Sequence, residues 1–177
     1  LTRTLVTVTV HALPNVNGGN NQAICIGQST SLTATGATTY TWNTGATTSS
    51  ISVSPSSTTI YTINASAGSC NATQTATVTV SSQPTVAVAN ATICNGGSTP
   101  LTASGASTYT WTPALGLNGT TGSSVTANPT TTTTYTITGT DANGCVNTTT
   151  SVVTVETPAV ITTQPSNQVV LEDTSAS

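Results

Sequence analysis

Threonine and serine alternate with valine, isoleucine, leucine, tyrosine and tryptophan through most of the chain, and no stretch carries a helical period. A period of two places apolar side chains on one face of a strand and hydroxyls on the other. The pattern predicts strands over residues 5–10, 29–34, 39–43, 49–54, 58–65 and 73–80, divided by Gly, Pro and Ser turn signals. The inward-facing set is Leu32, Ala34, Tyr40, Trp42, Ile51, Val53, Tyr61, Ile63, Val78 and Val80. Further on, Leu101, Ala103, Tyr109, Trp111, Val125, Ala127, Tyr135, Ile137, Val153 and Val155 hold the same places.

These two sets are copies. Cys25 and Cys94, and Trp42 and Trp111, are each separated by 69 positions, Tyr61 and Tyr135 by 74, and Cys70 and Cys145 by 75. Such a constant pitch marks a tandem repeat with a few residues inserted after the second tryptophan, in the loop 113–119. Short strands with a tryptophan on the third and a tyrosine opening the next-to-last predict an all-β chain of tandem immunoglobulin-like antiparallel β-sandwiches. The expected units are residues 14–83 and 84–157, with Asp141–Gly144 as a hairpin. Residues 1–13 read as the last strand of a preceding or neighbouring unit, since Val8, Val10 and Pro14 match Val78, Val80 and Pro84 at an offset of 70. Residues 158–177 read as the first strands of a third.

Charge narrows the function classes. Among 177 residues Arg3 is the one basic side chain besides His11, and the acids are Asp141, Glu156, Glu172 and Asp173. Such a surface cannot neutralise a run of phosphates, which argues against nucleic acid and anionic membranes as partners. No apolar run reaches the ~18 residues that a transmembrane helix needs, and no leader with a charged and apolar pattern opens the chain; if the protein is secreted, its signal was removed or lies outside it. Four cysteines without a CxxC pair read as a disulfide framework in an oxidising compartment, extracellular or at the cell surface. No nucleophile has a histidine or carboxylate at a matched position, so neither enzymatic activity nor a cofactor or metal is expected. His11 has no partner in sequence, and Asp141, Glu172 and Asp173 are too few for a strong calcium site.

The chain resembles the immunoglobulin-like and PKD-like repeats of very large secreted surface proteins of Bacteroidota, including gliding-motility adhesins. The resemblance rests on Cys-x-Gly, Leu-Thr-Ala-x-Gly-Ala, Tyr-x-Trp, a threonine-rich run into Tyr-Thr-Ile, Asn-Gly-Cys and a closing Val-Thr-Val, over residues 14–157. Residues 158–177 resemble the start of a sister type that often has a cysteine where this chain has Leu171. The resemblance implies spacer and adhesion modules without catalytic residues.

Three sets of candidate residues follow. Cys25 with Cys70 and Cys94 with Cys145 is the simplest pairing, worth roughly 4 kcal/mol per bridge in the chain-entropy model. Against it, the two cysteines of a repeat fall at opposite ends of a sandwich, about 20 Å apart, whereas bridged Cα atoms come within about 7 Å. Pairing between repeats, Cys25 with Cys145, is the alternative if domains stack end to end. Asn64, Asn71, Asn90, Asn118 and Asn147 lie in Asn-x-Ser/Thr triplets at or beside expected turns, and attached glycans would give a nearly uncharged surface its solubility. Leu5, Val6, Val8, Val10, Val160, Ile161, Val169, Val170 and Leu171 form apolar strands at the two ends that could polymerise the protein by adding to a neighbouring copy. The expected function is a non-enzymatic structural rod or head-to-tail fibre whose partners are other copies of itself; the alternative is a spacer or adhesion module that binds glycan or protein. The six Trp and Tyr side chains could form a sugar-stacking platform, but their alternation with threonine predicts a core role.

Overall fold

The computed structural model describes residues 12–157 together with 6, 8, 10, 159, 160 and 162. Twelve strands and no helix make up these residues. The first six are β1 (Gln22–Cys25), β2 (Thr30–Thr33), β3 (Thr39–Trp42), β4 (Ser50–Val53), β5 (Thr59–Ala67) and β6 (Cys70–Ser81). The second six are β7 (Ala91–Cys94), β8 (Thr99–Thr102), β9 (Thr108–Thr112), β10 (Ser124–Ala127), β11 (Thr133–Thr140) and β12 (Val146–Glu156). Each set forms a four-stranded sheet, β1-β6-β5-β3 or β7-β12-β11-β9, facing a two-stranded sheet, β2-β4 or β8-β10. This is the immunoglobulin-like sandwich.

All pairings are antiparallel except one per repeat. β1 runs parallel to β6, with Gln22 opposite Val78 and Cys25 opposite Ser81, and β7 runs parallel to β12, with Ala91 opposite Val153 and Cys94 opposite Glu156. These two four-residue strands were not expected from the sequence. Each has one buried apolar residue, Ile24 or Ile93, so neither shows a countable alternation. What holds them is the edge of the long last strand, whose N–H and C=O groups need partners. An asparagine just ahead of each fixes the approach: Asn21 Oδ1 accepts the Thr77 N–H at 2.9 Å, and Asn90 Oδ1 accepts the Val152 N–H at 2.8 Å.

Two separate cores fill the sandwiches, one built from side chains between Val16 and Val80 and the other between Val86 and Val155. Most of the expected inward set is buried, with Tyr40, Val80 and Val155 only partly so. Both indoles have their N–H satisfied inside the fold, Trp42 donating to the Thr48 carbonyl and Trp111 to the Gly122 carbonyl, each at 2.9 Å. Tyr40 and Tyr109 turn back on the chain three residues earlier: each hydroxyl donates to the carbonyl and accepts the N–H of the same alanine, Ala37 or Ala106. No Trp or Tyr side chain is exposed, so the sugar-stacking platform does not exist. The 113–119 loop is ordered by Tyr135, whose buried phenol donates to the Leu115 carbonyl at 2.7 Å.

Of the strand expected over residues 5–10, residues 5, 7 and 9 lie outside the described residues. Val6, Val8 and Val10 are described and lie in no strand, with exposures of 79–89%. Val160 is likewise 81% exposed. Leu5, Ile161, Val169, Val170 and Leu171 lie outside the described residues, as do Arg3, His11, Glu172 and Asp173.

Gly105 has φ +91°, and a Cβ there would collide with the Thr85 carbonyl oxygen; Gly96 has φ +83° with open space around it. Gly96→Ala should therefore cost about 1–2 kcal/mol from the left-handed backbone alone, and Gly105→Ala distinctly more in the same urea titration. Equal costs would show that the Gly105 crossing is not tight. Trp111→Ala is expected to cost about 3–5 kcal/mol.

Candidate functional site at the joint between repeats

The long last strand of each sandwich decides where its cysteines go. Cys70 opens β6, and Cys25 lies opposite Ser81, the last residue of that strand. Eleven residue steps at about 3.3 Å each separate these levels, roughly 36 Å. The second repeat has the same arrangement, with Cys145 immediately before β12 and Cys94 opposite its last residue, Glu156. Pairing within a repeat, the simplest expectation, is therefore wrong, because the two sulfurs occupy opposite poles of one sandwich.

The structure instead joins Cys25 to Cys145, with Cα atoms 5.6 Å apart. The far pole of the first repeat meets the near pole of the second there. Two turns present the sulfurs. On the first repeat, the Ile26 N–H donates to the Ser81 carbonyl (2.9 Å) and the Gln28 N–H to the Cys25 carbonyl (3.0 Å), while the Gln28 side chain accepts the Cys25 N–H at 3.1 Å. On the second, Asp141 Oδ1 accepts the N–H groups of Asn143 and Cys145, both at 2.8 Å. The carboxylate is thus occupied in capping the hairpin. Cys145 is 1% exposed. Among the described residues no group of three His, Cys, Asp or Glu side chains comes together to hold a metal ion.

The polypeptide linker crosses beside the cystine. β6 ends at Ser81 next to Cys25, and the Pro84 carbonyl is held by the Asn147 side-chain N–H at 2.9 Å, two residues beyond Cys145. Two covalent connections lying side by side resist twist and separation and leave bending about the line through both. A shallow cleft at this junction is lined by Ile24, Gln28, Ser81, Asn143 and Gly144, with no charged side chain. Cys94 is exposed at the far pole of the second repeat, and Cys70 is half-buried at the near pole of the first.

The asparagines differ in availability. Asn64, Asn71, Asn90 and Asn118 are exposed and use their side-chain oxygen as an acceptor, from Thr73, Ser66, Val152 and Thr126 respectively. Asn147 spends its amide nitrogen on Pro84. Asn64 and Asn71 lie within strands, because the hairpin between β5 and β6 is only two residues wide. The sequence had placed all five in or beside turns, and Asn71 is two residues past the Gly68–Ser69 turn.

The bridge spans 120 sequence positions and encloses β2 through β11 in a covalent ring. A load applied at the two ends of the chain passes through Cys25 and Cys145 and bypasses that ring. In single-molecule pulling, reduction should lengthen the fully unfolded chain by about 3.3–3.6 Å per released residue, roughly 400 Å in all. The same increment is expected for Cys25→Ser, and unchanged length on reduction would rule out this connectivity.

No protein-family model matches the chain, and no curated protein matches it. Solved structures similar in shape are an I-band fragment of titin (14% identity, 84% of this chain and 68% of that one, TM-score 0.46), the IG1+IG2 portion of DIP-gamma (13%, 81% and 98%, 0.42) and the insect immune protein hemolin (13%, 88% and 49%, 0.41). The strand order and core described above make the chain a tandem of immunoglobulin-like β-sandwiches.

Proposed function

We propose that the protein is a non-enzymatic structural element of the extracellular space or cell surface, a rod of immunoglobulin-like units that joins other copies of itself into a head-to-tail fibre. The observation that carries this reading is the Cys25–Cys145 bridge. A cystine between successive units stiffens a joint without enlarging either core, and a cystine persists in oxidising compartments. The units are residues 14–83 and 84–157, with 1–13 and 158–177 belonging to neighbouring sandwiches. Val6, Val8, Val10 and Val160, exposed by 79–89%, supply apolar side chains for strand addition to such neighbours. The resemblance to Bacteroidota surface repeats supports the same use, as does the scarcity of trypsin sites in a chain with no lysine. Glycans on Asn64, Asn71, Asn90 or Asn118 would solubilise the surface; Asn147 is the poorest acceptor of the five because its nitrogen is engaged.

A role as a glycan-binding or protein-binding adhesion module has less support. Every aromatic side chain is in or against a core, and the loop after Trp111 presents Leu115, 60% exposed, as its one exposed large apolar side chain, Leu117 being packed against the core. Electron microscopy of purified protein tests the fibre reading. Fibres with an axial repeat of two or three sandwich lengths are expected, dissolving under denaturing and reducing conditions to 17.5 kDa chains or their glycosylated equivalents. Isolated short rods at every concentration would overturn self-assembly. A mass equal to the bare polypeptide in natural material would remove the glycans.

A further inference from the structure

We propose that Cys94 is a polymerisation cysteine, which forms an intermolecular cystine with Cys70 of a second copy of this chain and so repeats the Cys25–Cys145 joint between protomers. The inference rests on the head-to-tail reading above and adds a specific covalent bond to it. Cys94 and Cys25 occupy the same place in the fold. Each ends the first strand of its sandwich, opposite the last residue of the long strand, Glu156 or Ser81. Each is followed by the same turn: the next N–H donates to that last residue's carbonyl at 2.9 Å, and the N–H three residues on donates to the cysteine's own carbonyl at 2.8–3.0 Å. A glycine with φ of +83° or +84° lies two residues after both. Cys70 in turn shares the place of Cys145, at the tip of the hairpin that begins the long strand, although its hairpin is the tighter of the two.

The independent observation is that this pair of positions is bonded where two repeats meet. One turn cysteine, Cys25, closes on one hairpin cysteine, Cys145. A following unit stacked on the second repeat as the second is stacked on the first would bring its hairpin against Cys94. In a second copy that hairpin carries Cys70. Contacts of this head-to-tail kind do not close on themselves and generate an open chain. Cys94 is exposed.

The bond forms by thiol–disulfide exchange with a small-molecule disulfide such as oxidised glutathione. Cys94 thiolate attacks one sulfur of the oxidant and releases one glutathione thiolate; the Cys70 thiolate of the next copy then attacks the Cys94 sulfur and releases the second. Two protein thiols lose two electrons and two protons, and one glutathione disulfide becomes two glutathione thiols.

Complementation between serine variants tests this. Full-length wild-type protein oxidised with glutathione disulfide should give a ladder of covalent multimers on a non-reducing denaturing gel, and alkylating its thiols beforehand should abolish the ladder. Cys70→Ser and Cys94→Ser should each remain monomeric when oxidised alone, and their equimolar mixture should yield dimers and nothing larger. Dimers from Cys70→Ser alone would mean a Cys94–Cys94 bond and overturn the proposal, as would a ladder that survives in Cys94→Ser. Electron microscopy of the same samples separates the two levels of inference. Fibres in wild type and both variants without any ladder would refute the cystine and leave the fibre reading standing. Neither fibres nor a ladder from wild type would refute both.

Discussion

The separation of the two cysteines within each sandwich governs the rest of the molecule. A β-strand rises about 3.3 Å per residue and cannot be folded back on itself, so a cysteine at each end of an eleven-step strand belongs to two different neighbourhoods. A staple inside one unit would have strengthened that unit and left the joint free to swing. With the sulfurs at opposite poles, one cysteine of each repeat, Cys25 and Cys145, joins the first unit to the second. The cores must then be stable without internal cross-links, although small domains usually depend on them.

They manage this with an economical set of polar solutions. Indole and phenol groups bring area into the core along with one polar atom that needs a partner, and each partner comes from the chain close by: the Thr48 and Gly122 carbonyls for the tryptophans, Ala37 and Ala106 for two of the tyrosines. No buried side-chain polar atom lacks a hydrogen bond among the described residues. The outer faces are threonine and serine, which suit a pleated surface and bring no charge. Burial pushes the Tyr135 phenol above its ordinary pKa. The unfolded chain thus ionises first, so this contribution is full below about pH 10 and fades above it.

Strands with several alternating apolar residues were legible in the sequence: β2 to β6 fall within a few residues of their expected positions, and both tryptophans, Ile51, Ile63 and Ile137 are buried where the alternation placed them. β1 and β7 were not legible. Their placement comes from the edge of a strand more than fifty residues further on, and four residues with a single buried isoleucine cannot announce that. The cystine was legible in part. Residue spacing gave the repeat and the matched couples, and the sandwich reading set the two cysteines of a couple at opposite ends and offered Cys25 with Cys145 as the alternative; the register of β6 and β12 decides for that alternative. The role of Asp141 as the cap that presents Cys145 had no sequence signal beyond its place in a hairpin.

Chain topology gives the joint its mechanical meaning. The Cys25–Cys145 bridge shelters the interior strands from a load on the termini, but tension entering at Cys70 and leaving at Cys94 follows another line: along β6, across the linker, and up the first strand of the second sandwich. Those cysteines are 24 positions apart in sequence, which limits the segment to about 80 Å fully extended. Two stacked sandwiches, each roughly 36 Å along its long strand, already need most of that length. A load passing between these two sulfurs therefore meets a chain with almost no slack, and the pair of sandwiches can transmit tension without either core having to unfold first.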